Sequence, residues 1–128
     1  MVLGIRSAED IVRMRQVVRE HAVVHGFSLV DQTKLVTAAS ELARNILNYG
    51  KGGEVRLSVV AQGPRRGLKL VFSDRGPGIP DIALAMKDGY TTGSGMGLGL
   101  GGAKRLSNEF HIESIVGAGT RVTIVRWK

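Results

Sequence analysis

Cysteine is absent from the 128 residues, so neither a disulfide framework nor a thiolate metal site can organise this chain. That absence suits a reducing compartment and makes the cytoplasm the expected location. Aromatic residues are few, one Trp, two Tyr and three Phe, and no basic tract is interleaved with rings, which argues against a nucleic-acid surface. No apolar run approaches the ~20 residues of a membrane span, and Met1 to Arg6 lacks the long apolar region of a signal peptide. Acidic residues are outnumbered, 11 against 18 Lys and Arg, for a formal net charge of +7. Such a balance suits nucleic acid, an acidic membrane surface, a phosphorylated ligand or an acidic protein partner. The cations are scattered, with Arg65-Arg66 and Lys104-Arg105 as the adjacent pairs. Neither nucleic acid nor a membrane is the expected partner.

What is present is a chain with 43% hydrophobic, mostly aliphatic residues, enough for one domain over residues 1–128. Residues 2 to 5 can form an edge strand. Ser7-Ala8-Glu9-Asp10 matches a capping box, and Ile11, Met14, Val18 and Ala22 follow at helical spacing until Gly26. A second helix is predicted from Asp31, as its cap, to Tyr49, with Leu35, Ala38, Leu42 and Ile46 on one stripe. The period then changes to two. Val55, Leu57 and Val59 mark one strand and Leu68, Leu70 and Phe72 the next, across a Gly63 to Gly67 connection. A short helix over Pro80–Lys87, a glycine-rich segment from Gly89 to Gly102, and a helix over Ala103–Asn108 follow. Two strands, Phe110–Ile115 and Thr120–Trp127, complete the chain. Strands arriving as neighbouring hairpins, with helices before and between them, predict an α+β fold. It is a two-layer α/β sandwich with helices on one face of a mixed, mainly antiparallel sheet.

Three segments carry groups that a core does not need. On the second helix Glu41 and Asn45 are four residues apart and project from one face. A carboxylate there can accept the proton of an attacking hydroxyl, and a side-chain carbonyl beside it suits magnesium shared with nucleotide phosphates. A solvated helix face would carry the same pair. Directly after a buried strand comes Asp74-Arg75-Gly76-Pro77-Gly78-Ile79-Pro80-Asp81. Its first carboxylate suits an amino donor such as adenine N6, and its glycines let backbone approach a ligand; an ordinary Asp-Gly turn has the same composition. Last, the ten residues from Gly93 to Gly102 hold six glycines, able to wrap phosphates with backbone N–H groups or simply to form a flexible loop.

Two familiar nucleotide motifs are excluded. Gly97 to Gly102 satisfies G-x-G-x-x-G, but no strand immediately precedes it, and G-x-x-x-x-G-K-[ST] does not occur. His21, His25 and His111 show no metal-like clustering with carboxylates.

Taken in order, the three segments resemble the N-box helix and two glycine boxes of the GHKL ATPase superfamily, which includes gyrase, Hsp90, histidine kinases and MutL. The resemblance covers nearly the whole chain. It is nearest to the small serine/threonine kinases of bacterial sigma-factor regulation, in particular the switch kinases of the stressosome. Glu41 to Ile46, Asp74 to Asp81, Asp88-Gly89-Tyr90, the glycine loop, Lys104-Arg105-Leu106 and Gly117-Ala118-Gly119-Thr120 all look like that family, with Gly101 where the family pattern has proline.

The resemblance implies a Bergerat ATP-binding fold that uses ATP and Mg2+. Glu41 would be the general base, Asn45 the magnesium ligand and Asp74 the adenine anchor. Gly76, Gly78 and Ile79 would line the base pocket, with Thr120 near adenine. Thr92, Gly93, Ser94, Gly95, Gly97, Leu98, Gly99 and Leu100 would belong to the ATP lid. It further implies transfer of phosphate to a serine or threonine of a STAS-domain protein, after which the released kinase activates a PP2C-type phosphatase. An anti-sigma-factor kinase, an ATP/ADP-gated binding module and a simple ATPase are the alternatives.

Overall fold

In the computed structural model, which describes residues 1–79, 81, 82, 86 and 99–128, the Ser7 hydroxyl accepts the Asp10 N–H at 3.3 Å and opens helix α1 (Ala8–Val24). Asp10 in turn accepts the Arg6 N–H at 2.9 Å, so free donors at the helix start are answered from both sides. The helix closes in a Schellman turn. Gly26 takes φ +79, its N–H bonds the Val23 carbonyl at 3.0 Å, and the Phe27 N–H bonds the Ala22 carbonyl at 2.9 Å. Ile11, Met14, Val18 and Ala22 form its buried stripe, as their spacing predicts.

Helix α2 (Leu29–Tyr49) starts two residues before the expected point, because Ser28 and not Asp31 is the cap: its hydroxyl accepts the Asp31 N–H at 3.1 Å. The Asp31 carboxylate is engaged elsewhere, 2.7 Å from a guanidinium nitrogen of Arg126. Leu35, Ala38, Leu42 and Ile46 are buried as predicted.

The strands are β1 (Val2–Ile5), β2 (Gly53–Gln62), β3 (Arg65–Asp74), β4 (Glu109–Ile115) and β5 (Gly119–Trp127), with helix α3 (Gly99–Arg105) between β3 and β4. Among the described residues the sheet has five strands in the order β1-β2-β3-β5-β4, and each pairing is antiparallel. The two-layer α+β sandwich is thus as expected, with a sheet antiparallel throughout. The β2–β3 hairpin is tighter than the sequence suggests: Gln62 lies opposite Arg65, so Gly63-Pro64 alone makes the turn. Val59 stands on the helix-facing side yet is 44% exposed, although Leu68 opposite it is fully buried: β1 pairs with β2 only as far as Arg56, so β2 is the sheet edge at Val59.

Helix α3 begins inside the glycine-rich run, four residues before the expected start, and packs on α2 with Leu100, Gly101, Gly102 and Ala103 buried. Packing overrides the poor helix propensity of glycine here. Of the short helix expected over Pro80–Lys87, Asp81, Ile82 and Met86 are described, with the Met86 N–H bonded to the Ile82 carbonyl at 2.9 Å. The segment from Gly89 to Leu98 lies outside the described residues.

On the helix-facing side of the sheet, the register stacks apolar side chains in rows. Leu57, Leu70, Ile124 and Phe110 make one, and Leu3, Val55, Phe72, Val122 and Ile112 the next. With the stripes of α1 and α2 they form the core.

Candidate functional site

One row further along the same face, the side chains turn polar. Asp74, Thr120 and Ser114 stand opposite one another on β3, β5 and β4, with Gly53 of β2 beside them. Each lies two residues beyond Phe72, Val122, Ile112 or Val55 and therefore on the same side of the sheet. Asp74 accepts the Gly76 N–H at 2.9 Å through one carboxylate oxygen, which leaves the second oxygen able to accept from a ligand. The Ser114 hydroxyl lies 2.9 Å from that of Thr120 and accepts the Ile79 N–H at 2.7 Å.

These bonds fasten the Gly76 to Ile79 loop on the β4–β5 hairpin, and the Gly117 N–H adds a bond to the Pro77 carbonyl at 2.8 Å. Gly78 has φ +80, and a Cβ there would stand 2.5 Å from the Ile115 carbonyl oxygen; only glycine fits on both counts. On the other side the loop meets the end of α2. A Cβ on Gly76 would lie 2.6 Å from the Gly50 Cα, and one on Gly50 would lie 2.4 Å from the Asp74 Cγ.

Helix α2 carries the remaining groups along the row. Ile46 packs over Gly53, where an added Cβ would stand 3.0 Å from its Cγ2. Glu41 is 7% exposed, with Oε1 3.4 Å from Nη1 of Arg44. Asn45, one turn on, is half-buried. Glu41 and Gly50 are about 13 Å apart along the helix axis at 1.5 Å per residue. Helix α3 packs on α2 and so brings Gly99 to this layer, while the Leu100 side chain lies in the core. Thr92, Gly93, Ser94, Gly95, Gly97 and Leu98 lie outside the described residues.

The structure therefore gathers Asp74, Gly76, Gly78, Ile79 and Thr120 in one patch, and sets Glu41 and Asn45 on the helix that ends against it. Sequence reasoning missed Ser114 and Gly50. Ser114 had a signal: it breaks the inward apolar series Phe110, Ile112, as Asp74 breaks Leu68, Leu70, Phe72. Among the described residues no three of His, Asp and Glu group as a metal site; a magnesium ion held chiefly by phosphates and water needs no such group.

Residues 30–128 match the family of histidine kinase-, DNA gyrase B- and HSP90-like ATPases. The chain belongs to this family. Within it, the serine/threonine-protein kinase RsbT of Bacillus subtilis (strain 168) is 47% identical over 118 residues, 92% of this chain and 89% of that one. At that likeness over most of both chains, this ATPase-family member is a kinase of the serine/threonine branch.

Two solved structures, both too distant to speak for more than the fold, confirm the Bergerat architecture. The RsbU and RsbW domains of a Mycobacterium tuberculosis protein match with a TM-score of 0.65 at 21% identity, over 100% of this chain and 33% of that longer one. The mycobacterial sensor histidine kinase MprB matches with a TM-score of 0.59 at 20% identity, over 99% of this chain and 96% of that one. Among the described residues, no helix is long and apolar enough to cross a membrane.

Proposed function

We propose that this kinase, acting as one domain over residues 1–128 in the cytoplasm, transfers the γ-phosphate of ATP to a serine or threonine hydroxyl of a STAS-domain protein. In this reading it is a partner switch of stressosome signalling and sigma-factor regulation, and on release it activates a PP2C-type phosphatase. The observation that carries the reading is the polar row. It ends the core against α2, with an amine acceptor at Asp74 seated on Gly50 and a buried acid, Glu41, about 13 Å from Gly50 along that helix.

Asp74 offers its second oxygen to the adenine amino group, and Thr120 and Ser114 floor the site beside it. Glycine at 76 and 78 lets the loop close against Gly50 and Ile115, which holds it beside the space a flat base would enter, and Ile79 supplies an apolar contact. Glu41 takes the proton of the acceptor hydroxyl as the new oxygen–phosphorus bond forms and the bond to the β–γ bridging oxygen breaks, leaving ADP. Arg44 holds that carboxylate in place. Asn45 would hold Mg2+ through its amide oxygen, and the ion would neutralise triphosphate charge. Thr92, Gly93, Ser94, Gly95, Gly97, Leu98, Gly99 and Leu100 would belong to the lid that binds the triphosphate. Catalysis of this kind comes from positioning and charge stabilisation.

The test is labelled ATP with Mg2+ and a STAS-domain partner. Wild type labels the partner, and Glu41→Gln keeps ATP binding while labelling falls by about 10²–10⁴-fold. A stable complex with an unlabelled partner would replace the kinase by a nucleotide-gated binding module. Free phosphate without labelled protein would replace it by an ATPase.

A further inference from the structure

We propose that the groove between α1 and α2 is a docking site for an acidic amphipathic helix of a partner protein. Val12, Arg15, Gln16, Arg19 and Val36 line a depression of about 210 Å³. Val12, Gln16, Arg19 and Val23 recur along one side of α1 at helical spacing, Arg19 half-buried and the other three exposed, so one accessible side runs most of the helix. Arg19 bridges to α2 through Gln32, 3.4 Å from its Oε1. Val12 is 55% exposed, and Val23 and Leu29, near the α1–α2 turn, are exposed as well.

The face thus alternates apolar spots with arginines. Its lining contains no carboxylate, and neither Arg15 nor Arg19 pairs with one among the described residues. This selects the occupant. A helix laid in a groove is anchored by apolar residues at i, i+4 and i+7. Glutamates or aspartates flanking those anchors would complete charge-assisted bonds with Arg15 and Arg19. A second copy of this chain is the poorer fit, because a two-fold contact sets the same arginines against themselves. The groove lies apart from the polar row, so the proposal does not depend on the nucleotide reading.

The probe is a synthetic helical peptide with Leu at i, i+4 and i+7 and Glu between, followed by fluorescence anisotropy at low salt. Wild type binds it, and a Lys-for-Glu version binds far more weakly. Arg15→Glu with Arg19→Glu weakens the acidic peptide by roughly tenfold or more and reverses the preference in favour of the Lys peptide. Val12→Asp weakens both peptides. ATP affinity stays unchanged in every variant, which separates this face from the nucleotide site. Arg15→Gln with Arg19→Gln stands in should the reversed variant fail to fold, and weakens the acidic peptide without favouring the Lys one. No binding of the acidic peptide, equal binding to wild type and the charge-reversed variant, or self-association lost on mutating these arginines would overturn the proposal.

Discussion

Gly50 and Asp74 are in contact at a separation that leaves no room for a methyl group: a Cβ on Gly50 would meet the Asp74 Cγ at 2.4 Å and Oδ2 at 2.7 Å. The end of α2 is therefore seated directly on the carboxylate that closes β3. That carboxylate cannot swing aside without losing the Gly76 N–H. Gly50→Ala should cost about 1–3 kcal/mol of stability through overpacking and weaken ATP by roughly tenfold or more, since a tenfold loss needs only about 1.4 kcal/mol of misplacement. Calorimetry with ATP and urea unfolding read the two effects separately. An unchanged ATP affinity would mean that Asp74 is not the anchor.

Ser114 is the junction between the glycine loop and the hairpin, and its removal tests whether the loop must be held. Ser114→Ala strands the Ile79 N–H and leaves the Thr120 hydroxyl without its neighbour. Unfolding free energy should fall by about 1–2 kcal/mol, the cost of polar groups left unpaired. The Kd for ATP should rise severalfold while phosphotransfer at saturating ATP stays near wild type, because the reacting end of the nucleotide lies elsewhere. A fall in the saturated rate with unchanged Kd would contradict this division.

The helical stripes of α1 and α2 and the alternation of β2 to β5 were legible because burial imposes a period on the sequence whatever the partner. Asp74 is singled out in the sequence by the Asp-x-Gly-x-Gly run after a strand and Thr120 by the family resemblance; the structure adds that both occupy positions where the period calls for an apolar residue. What stayed hidden is what depends on distant partners. Ser28 and Asp31 are both competent caps, and the choice between them is settled by Arg126, 95 residues away from Asp31. The start of α3 at Gly99 was equally hidden, since composition favours a loop and only contact with α2 stabilises a helix there. Gly50 reads as an ordinary helix end until the strand that meets it is in place.

Asp74→Asn distinguishes a carboxylate that receives an amine from one that merely shapes a turn. The amide oxygen can still accept the Gly76 N–H, so the loop and the melting temperature should hold. The amide nitrogen, however, would face the adenine amine donor to donor. ATP affinity should fall by about 10–100-fold, and discrimination against a nucleotide with a carbonyl at purine C6, such as inosine triphosphate, should narrow, because that oxygen can accept from Asn. Equal losses for both nucleotides would point to general disruption of the pocket.

Arg126 ties three elements, and its ion pair gives stability a pH signature. It bonds Asp31 at the start of α2 at 2.7 Å and the Leu106 carbonyl after α3 at 3.0 Å. The guanidinium holds the Asp31 carboxyl below its ordinary range, with the Ser28 hydroxyl assisting and burial opposing. A depressed native pKa means that the folded state binds fewer protons than the unfolded one. The contribution is therefore complete above the unfolded value of about 3.9 and is lost as pH falls through the lower native value. Arg126→Ala should cost about 1–3 kcal/mol at neutral pH through the lost bonds. Arg126→Lys should recover part of this, because an ammonium cannot reproduce the planar fork that reaches both acceptors. Asp31→Asn should destabilise at pH 6, and the gap to wild type should stay constant down to about pH 3.9 and narrow only as unfolding is followed below that, through the lower native value. A gap that fails to narrow even in acid well below that unfolded value would show that packing, and not the charge on Asp31, fixes the three elements to one another.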